Sequence, residues 1–521
     1  MNIHTSNYAR AGRRVASGMV TALLALGAAC AWAMTPPDTL VLGKSSDPQM
    51  LDTCISEDNN DWTITYPSYQ RLMKYKGSST TVEPDLATGY TVSKDSLTFT
   101  FKIKAGQKFD DGSALDANAV KFTFDRLMKL RQGPSEPFPS DLKCSVIDPN
   151  TVQFTMAKVC PYFLYVLANN CGGIINPKVM EHEVNGDNAK AWLAGHTAGS
   201  GPFRMSEWVK GQSLTLEQNP YYAGKKPVLK KMVVRIIGEA ASRRLQLESG
   251  DLDIVETLPV DQFAEVAKKP DLEVAQNPSL LCTYLYMNNS RPPLNNPEVR
   301  QAISYAVDYN GIIKNIMKGQ AKQMRGPIPE GMWAYNPTAF QFSTDMAKAK
   351  ALLAKAGVTN LTMGFLYSNR DPNWEPIVLS TQAQLAQLGI TVKLESMANA
   401  TMRERLNKGD FDLSIGNWSP DFADPSQFMN AWFQSDRKGL SGNRSFYDNP
   451  KVDKMVLDAT TTTDQKLRTK LYQEAEKIVI DDAAYVYLYQ KNSQVALRKN
   501  VKGFVFNPML EQIFNIDTMS K

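Results

Sequence analysis

Residues 98–103, Thr-Phe-Thr-Phe-Lys-Ile, alternate apolar and polar side chains without a break, the pattern of a strand with one face buried. Phe99, Phe101 and Ile103 share the apolar face. Asp111-Gly112 follows as a turn pair. Asp116 then precedes a stretch in which Val120, Phe124 and Leu127 recur at helical spacing, so its carboxylate is placed to cap a helix. A strand, a tight turn and a capped helix in close succession describe a mixed α/β chain.

The same alternation continues downstream. Residues 40–43 read as a buried strand that enters a Ser-Ser-Asp-Pro turn. Around Ile147-Asp148-Pro149-Asn150-Thr151 the spacing predicts a hairpin between 144–146 and 152–154. Residues 232–237, 240–248, Gly250 and 252–255 read as strand, helix, C-cap glycine and strand, a unit that makes parallel strands. A second block begins near Tyr284. Asn296-Pro297 caps a helix whose apolar face is Val299, Ile303, Ala306 and Val307. Segments 345–356, 361–367, 375–388 and 390–395 then alternate helix and strand, and 485–489 and 501–506 are predicted as closing strands.

Arg10, Arg13 and Arg14 lead into an apolar run from Val15 to about Ala29, and Ala31-Trp32-Ala33 fits a small-x-small processing site. The expectation is a cleaved export signal ending at Ala33. A lipoprotein alternative at Cys30 departs from the lipobox at Gly27. Removing residues 1–33 takes three arginines and no acid from the 58 basic and 53 acidic side chains, leaving a net charge of +2. So balanced a chain gives no argument for nucleic acid, whose phosphates demand clustered Lys and Arg. The remaining residues exceed what one hydrophobic core normally serves, so two or three subdomains are expected.

Five cysteines follow the leader: Cys54, Cys144, Cys160, Cys171 and Cys282. In an oxidising compartment some should pair, with at least one left over. Cys54–Cys282 and Cys160–Cys171 are the expected pairs, although spacing alone does not fix the connectivity. No C-x-x-C pair exists, and His182 and His196 are the histidines beyond the leader, which argues against a structural zinc. No metal or cofactor is expected.

Several stretches together resemble the peptide/nickel family of extracytoplasmic solute-binding proteins, the receptors of ABC importers. Gly89-Tyr90, Asp95, Thr98-Phe99-Thr100-Phe101, Lys104-Ala105-Gly106, Phe109-Asp110-Asp111-Gly112 and Phe122-Thr123-Phe124-Asp125-Arg126 match its signature in order, with Asp110 standing where the family usually carries His. Gly199-Ser200-Gly201-Pro202-Phe203, residues 247–253 and the helix at 297–308 extend the match over most of the chain. The resemblance implies an α/β, two-lobe periplasmic-binding-protein fold with an extra subdomain inserted in the first lobe. It divides the chain into a signal peptide (1–33), a discontinuous first lobe (34–65, 198–281 and 488–521), the inserted subdomain (66–197) and a second lobe (282–487). It also implies a periplasmic monomer that captures a short peptide, in particular a dipeptide, in the cleft between the lobes and delivers it to membrane permease subunits. Another small charged solute, such as an opine, an amino-acid derivative or a metal chelate, is the alternative cargo.

Residues 417–425, Asn-Trp-Ser-Pro-Asp-Phe-Ala-Asp-Pro, resemble the family loop W-x-x-D-x-x-D/E-P, whose first Asp binds the ligand ammonium in peptide-binding members. That role falls on Asp421, because a buried ammonium needs a fixed carboxylate. Asp424-Pro425 instead starts the next helix. Arg370, in the loop after strand 361–367, is the expected partner of the ligand carboxylate, by its bidentate fork. Trp418 is expected to wall a side-chain pocket, with Asn417 beside it. Tyr284 and Tyr286 share a face in an extended segment, so both or neither should line the cleft. Ser45 and Ser46 sit where a first-lobe loop donates hydrogen bonds. An exported hydrolase is the competing class. The chain holds no G-x-S-x-G elbow and no H-E-x-x-H helix.

Overall fold

The computed structural model describes residues 35–439 and 442–521. The leader, its processing point after Ala33 and Cys30 lie outside the described residues. Among the described residues no helix is long and apolar enough to cross a membrane.

One sheet runs through the molecule. Its strands lie in the order Thr391–Ser396, Thr362–Tyr367, Leu413–Trp418, Leu272–Met287, Tyr485–Arg498, Ile254–Glu256, Thr39–Lys44, Lys231–Ile236, Ser213–Gln218 and Phe203–Val209. Lys231–Ile236 and Ile254–Glu256 run parallel, as the strand–helix–glycine–strand spacing predicts, with Thr39–Lys44 lying between them. Gly250 ends the intervening helix at a φ of 93°, a left-handed conformation that glycine adopts without a Cβ penalty. The two central strands, Leu272–Met287 and Tyr485–Arg498, pass from one half of the sheet to the other, and each half carries its own helices. The molecule is a two-lobed α/β protein.

The central pair is antiparallel, and its register shifts between Pro278 and Cys282. Ser279 fixes this bulge: its Oγ donates to the Lys491 carbonyl at 2.8 Å and accepts from the Leu281 N–H at 3.0 Å. A bulge bends and twists its strand, and this one marks the passage between lobes.

The inserted subdomain has its own four-stranded sheet, in the order Ala87–Val92, Thr98–Ile103, Thr151–Thr155 and Lys143–Asp148. Phe99, Phe101 and Ile103 are buried on one face, and Phe101 and Phe124 both meet Phe154 edge-on. Asp116 caps the helix Ala117–Leu130 by accepting from the Asn118 and Ala119 N–H groups. Asp110 lies in the turn, where burial and then Asp111 push its carboxyl up to about 7. Across the molecule, Tyr162 stacks on Phe422 at 4.8 Å, so the inserted subdomain packs against the second lobe.

Two expectations are corrected. All five described cysteines are free and buried. Cys171, rather than Cys282, is the thiol near Cys54. Cys282 turns its thiol to the Leu280 carbonyl at 3.5 Å, and Cys171 turns its own to the Val166 carbonyl at 3.7 Å. Burial pushes the thiols of Cys144, Cys160 and Cys171 up to about 12, so they pack as small apolar residues. Second, residues 501–506 form no strand: Lys502 makes an isolated bridge to Ser520, and the closing strand is the single run Tyr485–Arg498.

Candidate ligand-binding cavity

A cavity of about 1100 Å³ lies between the lobes, where the bulged central strands cross. The first lobe contributes the start of helix Asn59–Ser68, residues 256–261 and the C-terminal segment at 504–514. From the second lobe come the loop at 370–374, one face of helix Asn399–Lys408 and the loop that follows strand Leu413–Trp418. Loops and strand ends from both lobes therefore converge on one space, as ligand clefts in α/β proteins do.

Strand Leu413–Trp418 pairs with the central strand, placing Trp418 opposite Cys282 and Asn417 opposite Thr283. The chain then leaves the sheet directly into the cavity wall. Its loop is held at three points. The Asp421 N–H donates to Gln427 Oε1 at 3.0 Å, and the Asp421 carbonyl accepts from Asn169 Nδ2 of the inserted subdomain at 2.6 Å. Trp333 Nε1 donates to the Ala423 carbonyl at 3.0 Å. Asp424 caps the turn Pro425–Gln427 by accepting from the Ser426 N–H, and it pairs with Arg468 at 2.9 Å where both are buried.

With the backbone so fixed, Asp421 lines the cavity with its side chain exposed to it. Burial pushes its carboxyl up to about 6, and the negative charges of Glu57 and Glu136 add to the shift. Glu57, on the first-lobe wall, is itself raised by burial and by Glu136. This end of the cavity concentrates negative charge, and no cation is among the groups acting on Asp421. It is the environment an ammonium group would neutralise.

Arg370, Arg403 and Arg444 also line the cavity. Arg403 projects from helix Asn399–Lys408, and Arg444 is only 8% exposed. Burial, then the charges of Arg444 and Arg370, hold the Arg403 guanidinium below its usual range. Tyr286 lines the wall beside them. Its ring lies over Gly416, where an added Cβ would sit 2.5 Å from a ring carbon, so a residue without a side chain is needed there. The cavity thus has an acidic end and a basic end.

The structure brings four of the expected residues, Asp421, Trp418, Asn417 and Arg370, to the cavity wall. Two stand elsewhere. Tyr284 does share a face with Tyr286, their hydroxyls being 3.2 Å apart, but it is fully buried, with its ring 4.5 Å from Trp432 and 5.1 Å from Tyr485. The both-or-neither expectation therefore fails, because the cavity ends at Tyr286. Ser46 is exposed outside the cavity, and its carbonyl accepts from Asn60 Nδ2. Glu256, on the first-lobe wall, is paired at 2.6 Å with the buried Lys44, which also donates to Thr63 Oγ1, a pair that the sequence does not advertise. Glu57, Arg403 and Arg444 belong to no motif of the sequence, and each reads there as an ordinary surface charge.

The family model of bacterial extracellular solute-binding proteins, family 5, matches residues 81–439. The chain is 56% identical over 507 residues to the probable D,D-dipeptide-binding periplasmic protein DdpA of Escherichia coli strain K12, covering 96% of this chain and 98% of the relative. It is 28% identical to the glutathione-binding protein GsiB of Salmonella paratyphi A, over 93% of this chain and 96% of that one. Among solved structures, the periplasmic binding protein DppA of Helicobacter pylori in complex with the peptide STSA superposes with a TM-score of 0.79 at 28% identity, covering 92% of this chain and 98% of that chain. The two lobes with an inserted subdomain are the periplasmic-binding-protein fold, and the chain belongs to family 5 of the bacterial extracellular solute-binding proteins.

Proposed function

We propose that this protein captures a dipeptide, in particular a D,D-dipeptide, between its lobes and delivers it to the permease subunits of an ABC importer. The observation that carries the reading is the charge separation across one cavity: Asp421 and Glu57 at one end, Arg370, Arg403 and Arg444 at the other. A dipeptide presents an ammonium and a carboxylate whatever its side chains, so a cavity with two opposite poles selects for termini and length. The D,D-dipeptide part rests on the relative at 56% identity. Asp421 takes the ammonium, Arg370 the carboxylate, and Trp418 and Asn417 flank the peptide. In this reading residues 34–65, 198–281 and 488–521 form the first lobe, 66–197 its inserted subdomain and 282–487 the second lobe. The protein works as a periplasmic monomer.

No chemistry on the cargo is part of this reading. His182 and His196 both stack on Trp192 with ring centroids 4.4 Å apart, and neither lines the cavity. The test is mass spectrometry of the ligand released from gently purified protein, beside an Asp421→Ala variant. A zwitterionic small peptide that the variant fails to retain is the expected result. An uncharged sugar, or hydrolysis of added peptides, would remove the reading.

A further inference from the structure

Buried arginines in this protein are held by an acid or by main-chain carbonyls, and among the described residues the three arginines on the cavity wall have neither. Arg126 pairs with Asp52 at 2.5 Å and Arg468 with Asp424 at 2.9 Å, both in the interior. Arg405, two residues from Arg403 on the same helix, pairs with Glu395 at 2.6 Å and Asp410 at 2.9 Å. Buried arginines without an acidic partner spend their donors on main-chain carbonyls instead. Arg300 donates to those of Leu294, Asp482 and Ala483. Arg243 donates to those of Ile237, Gly238 and Thr257.

Among the described residues, Arg370, Arg403 and Arg444 form no ion pair, and residues 1–34 and 440–441 include no acid. Arg444 lies 3.4 Å from Asn407 Oδ1 through Nε, and its guanidinium also stands beside the Tyr286 hydroxyl. Asp371 lies on the same wall, but its Oδ1 accepts from the N–H and Nδ2 of Asn373. Three guanidiniums therefore converge on one end of a cavity, Arg370 and Arg403 exposed to it without an acidic partner and Arg444 buried beside Asn407 and Tyr286. Burial and mutual repulsion, which hold Arg403 below its usual range, mark this as an arrangement that an anion relieves. A single α-carboxylate offers two oxygens, enough to fill one bidentate fork. The remaining guanidiniums are in surplus for a dipeptide with an uncharged second residue.

We infer that the cavity is built for a dipeptide that carries a second carboxylate at its C-terminal residue, the α-carboxylate and the side-chain carboxylate being shared among Arg370, Arg403 and Arg444. The inference rests on the dipeptide reading above and names the class of dipeptide within it. Arg403 is the specificity-determining residue, since the charges of both Arg370 and Arg444 act on it and it projects from an exposed helix face rather than from the core.

Isothermal titration of ligand-free protein at low ionic strength and pH 7.5 tests this with three peptides, Ala-Ala, Ala-Gln and Ala-Glu, each in D,D and L,L form. Ala-Glu is expected to bind at least about tenfold more tightly than Ala-Gln in the preferred stereochemical series, the ratio one well-placed charge-assisted contact supplies. Arg403→Gln should bring the two within about threefold, and Arg403→Lys, which keeps charge without the fork, should restore part of the difference. Both variants change a side chain open to the cavity, and a melting temperature of the ligand-free variants no lower than that of the unaltered protein confirms that the fold is kept. Equal binding of Ala-Glu and Ala-Gln by the unaltered protein overturns the inference and leaves the dipeptide reading standing. Failure of every peptide to bind overturns both, which separates the two failures.

Discussion

Asp421 is an acid whose ionisation is moved toward neutral pH. Burial, Glu57 and Glu136 raise its pKa to about 6, above the ordinary carboxylate range, so the free protein protonates it in mild acid. An ammonium binds the ionised form. Affinity for a zwitterionic peptide is therefore expected to be level above pH 7 and to fall below pH 6, approaching about tenfold per pH unit. Calorimetry across pH 5 to 8 reads this, and Asp421→Asn should give weak binding with no such step. The stability of the ligand-free protein has the opposite sign. A carboxyl whose folded pKa lies above its unfolded value favours the folded state in acid, and that advantage is lost as pH rises through about 6. Asp421→Asn should therefore raise the melting temperature at pH 8 and leave it unchanged near pH 4. A variant that binds as tightly as the unaltered protein at pH 8 would deny Asp421 its role.

What was legible at this scale depended on contiguity. Asp421, Trp418 and Asn417 sit in one short run whose residue types announce a loop after a strand, and all three reach the cavity wall. Arg403 and Arg444 come from a helix face and a separate loop, and only the folded chain puts them beside Arg370. Tyr284 is buried where alternation alone puts it on the cavity face, because Trp432 and Tyr485 decide how far along that face the solvent reaches.

At the scale of elements, the loop carrying Asp421 owes its shape to a buried pair behind it. Asp424 is fully buried against Arg468, whose Nε also donates to the Ala459 carbonyl at 2.8 Å and whose guanidinium lies 4.8 Å from the Trp333 ring centroid. Replacing Arg468 with Met leaves Asp424 as an uncompensated buried charge, a change that costs about 3–5 kcal/mol. Urea unfolding should show that loss in Arg468→Met, a smaller one in the double variant with Asp424→Asn, and weakened peptide binding in the single variant. A loss under about 1 kcal/mol would mean that the pair does not hold the loop. The elements themselves were read where burial shaped composition. The strand Tyr485–Arg498 shows in the sequence only over 485–489, because its continuation, Lys491, Asn492, Ser493 and Gln494, is polar where it lines the cavity. The reverse error assigned a strand to 501–506, where Phe504 and Phe506 are apolar because they face the cavity, not because they sit in a ladder.

For the whole molecule, the question is what lets two lobes move while each stays rigid. Only a ligand that touches both lobes favours the closed arrangement; Asp421 and the three arginines stand on the second lobe, and Glu57 brings the first lobe to the acidic pole. A covalent tie between Cys54 and Cys282 would have fastened the first lobe to the central strand beside the bulge at 279–281, where the chain bends. The structure has no such tie: Cys54, Cys144, Cys160, Cys171 and Cys282 are each a buried thiol. A chain of this length buries enough apolar surface to fold without cross-links, and the lobes stay free to hinge. The expected outcome is that native protein spanning residues 34–521 does not react with a thiol reagent, whereas protein unfolded in guanidinium chloride yields five thiols per chain. Its melting temperature should be the same with and without dithiothreitol. Three or fewer titratable thiols, or a melting temperature that falls on reduction, would show a bridge and require a different route for closure.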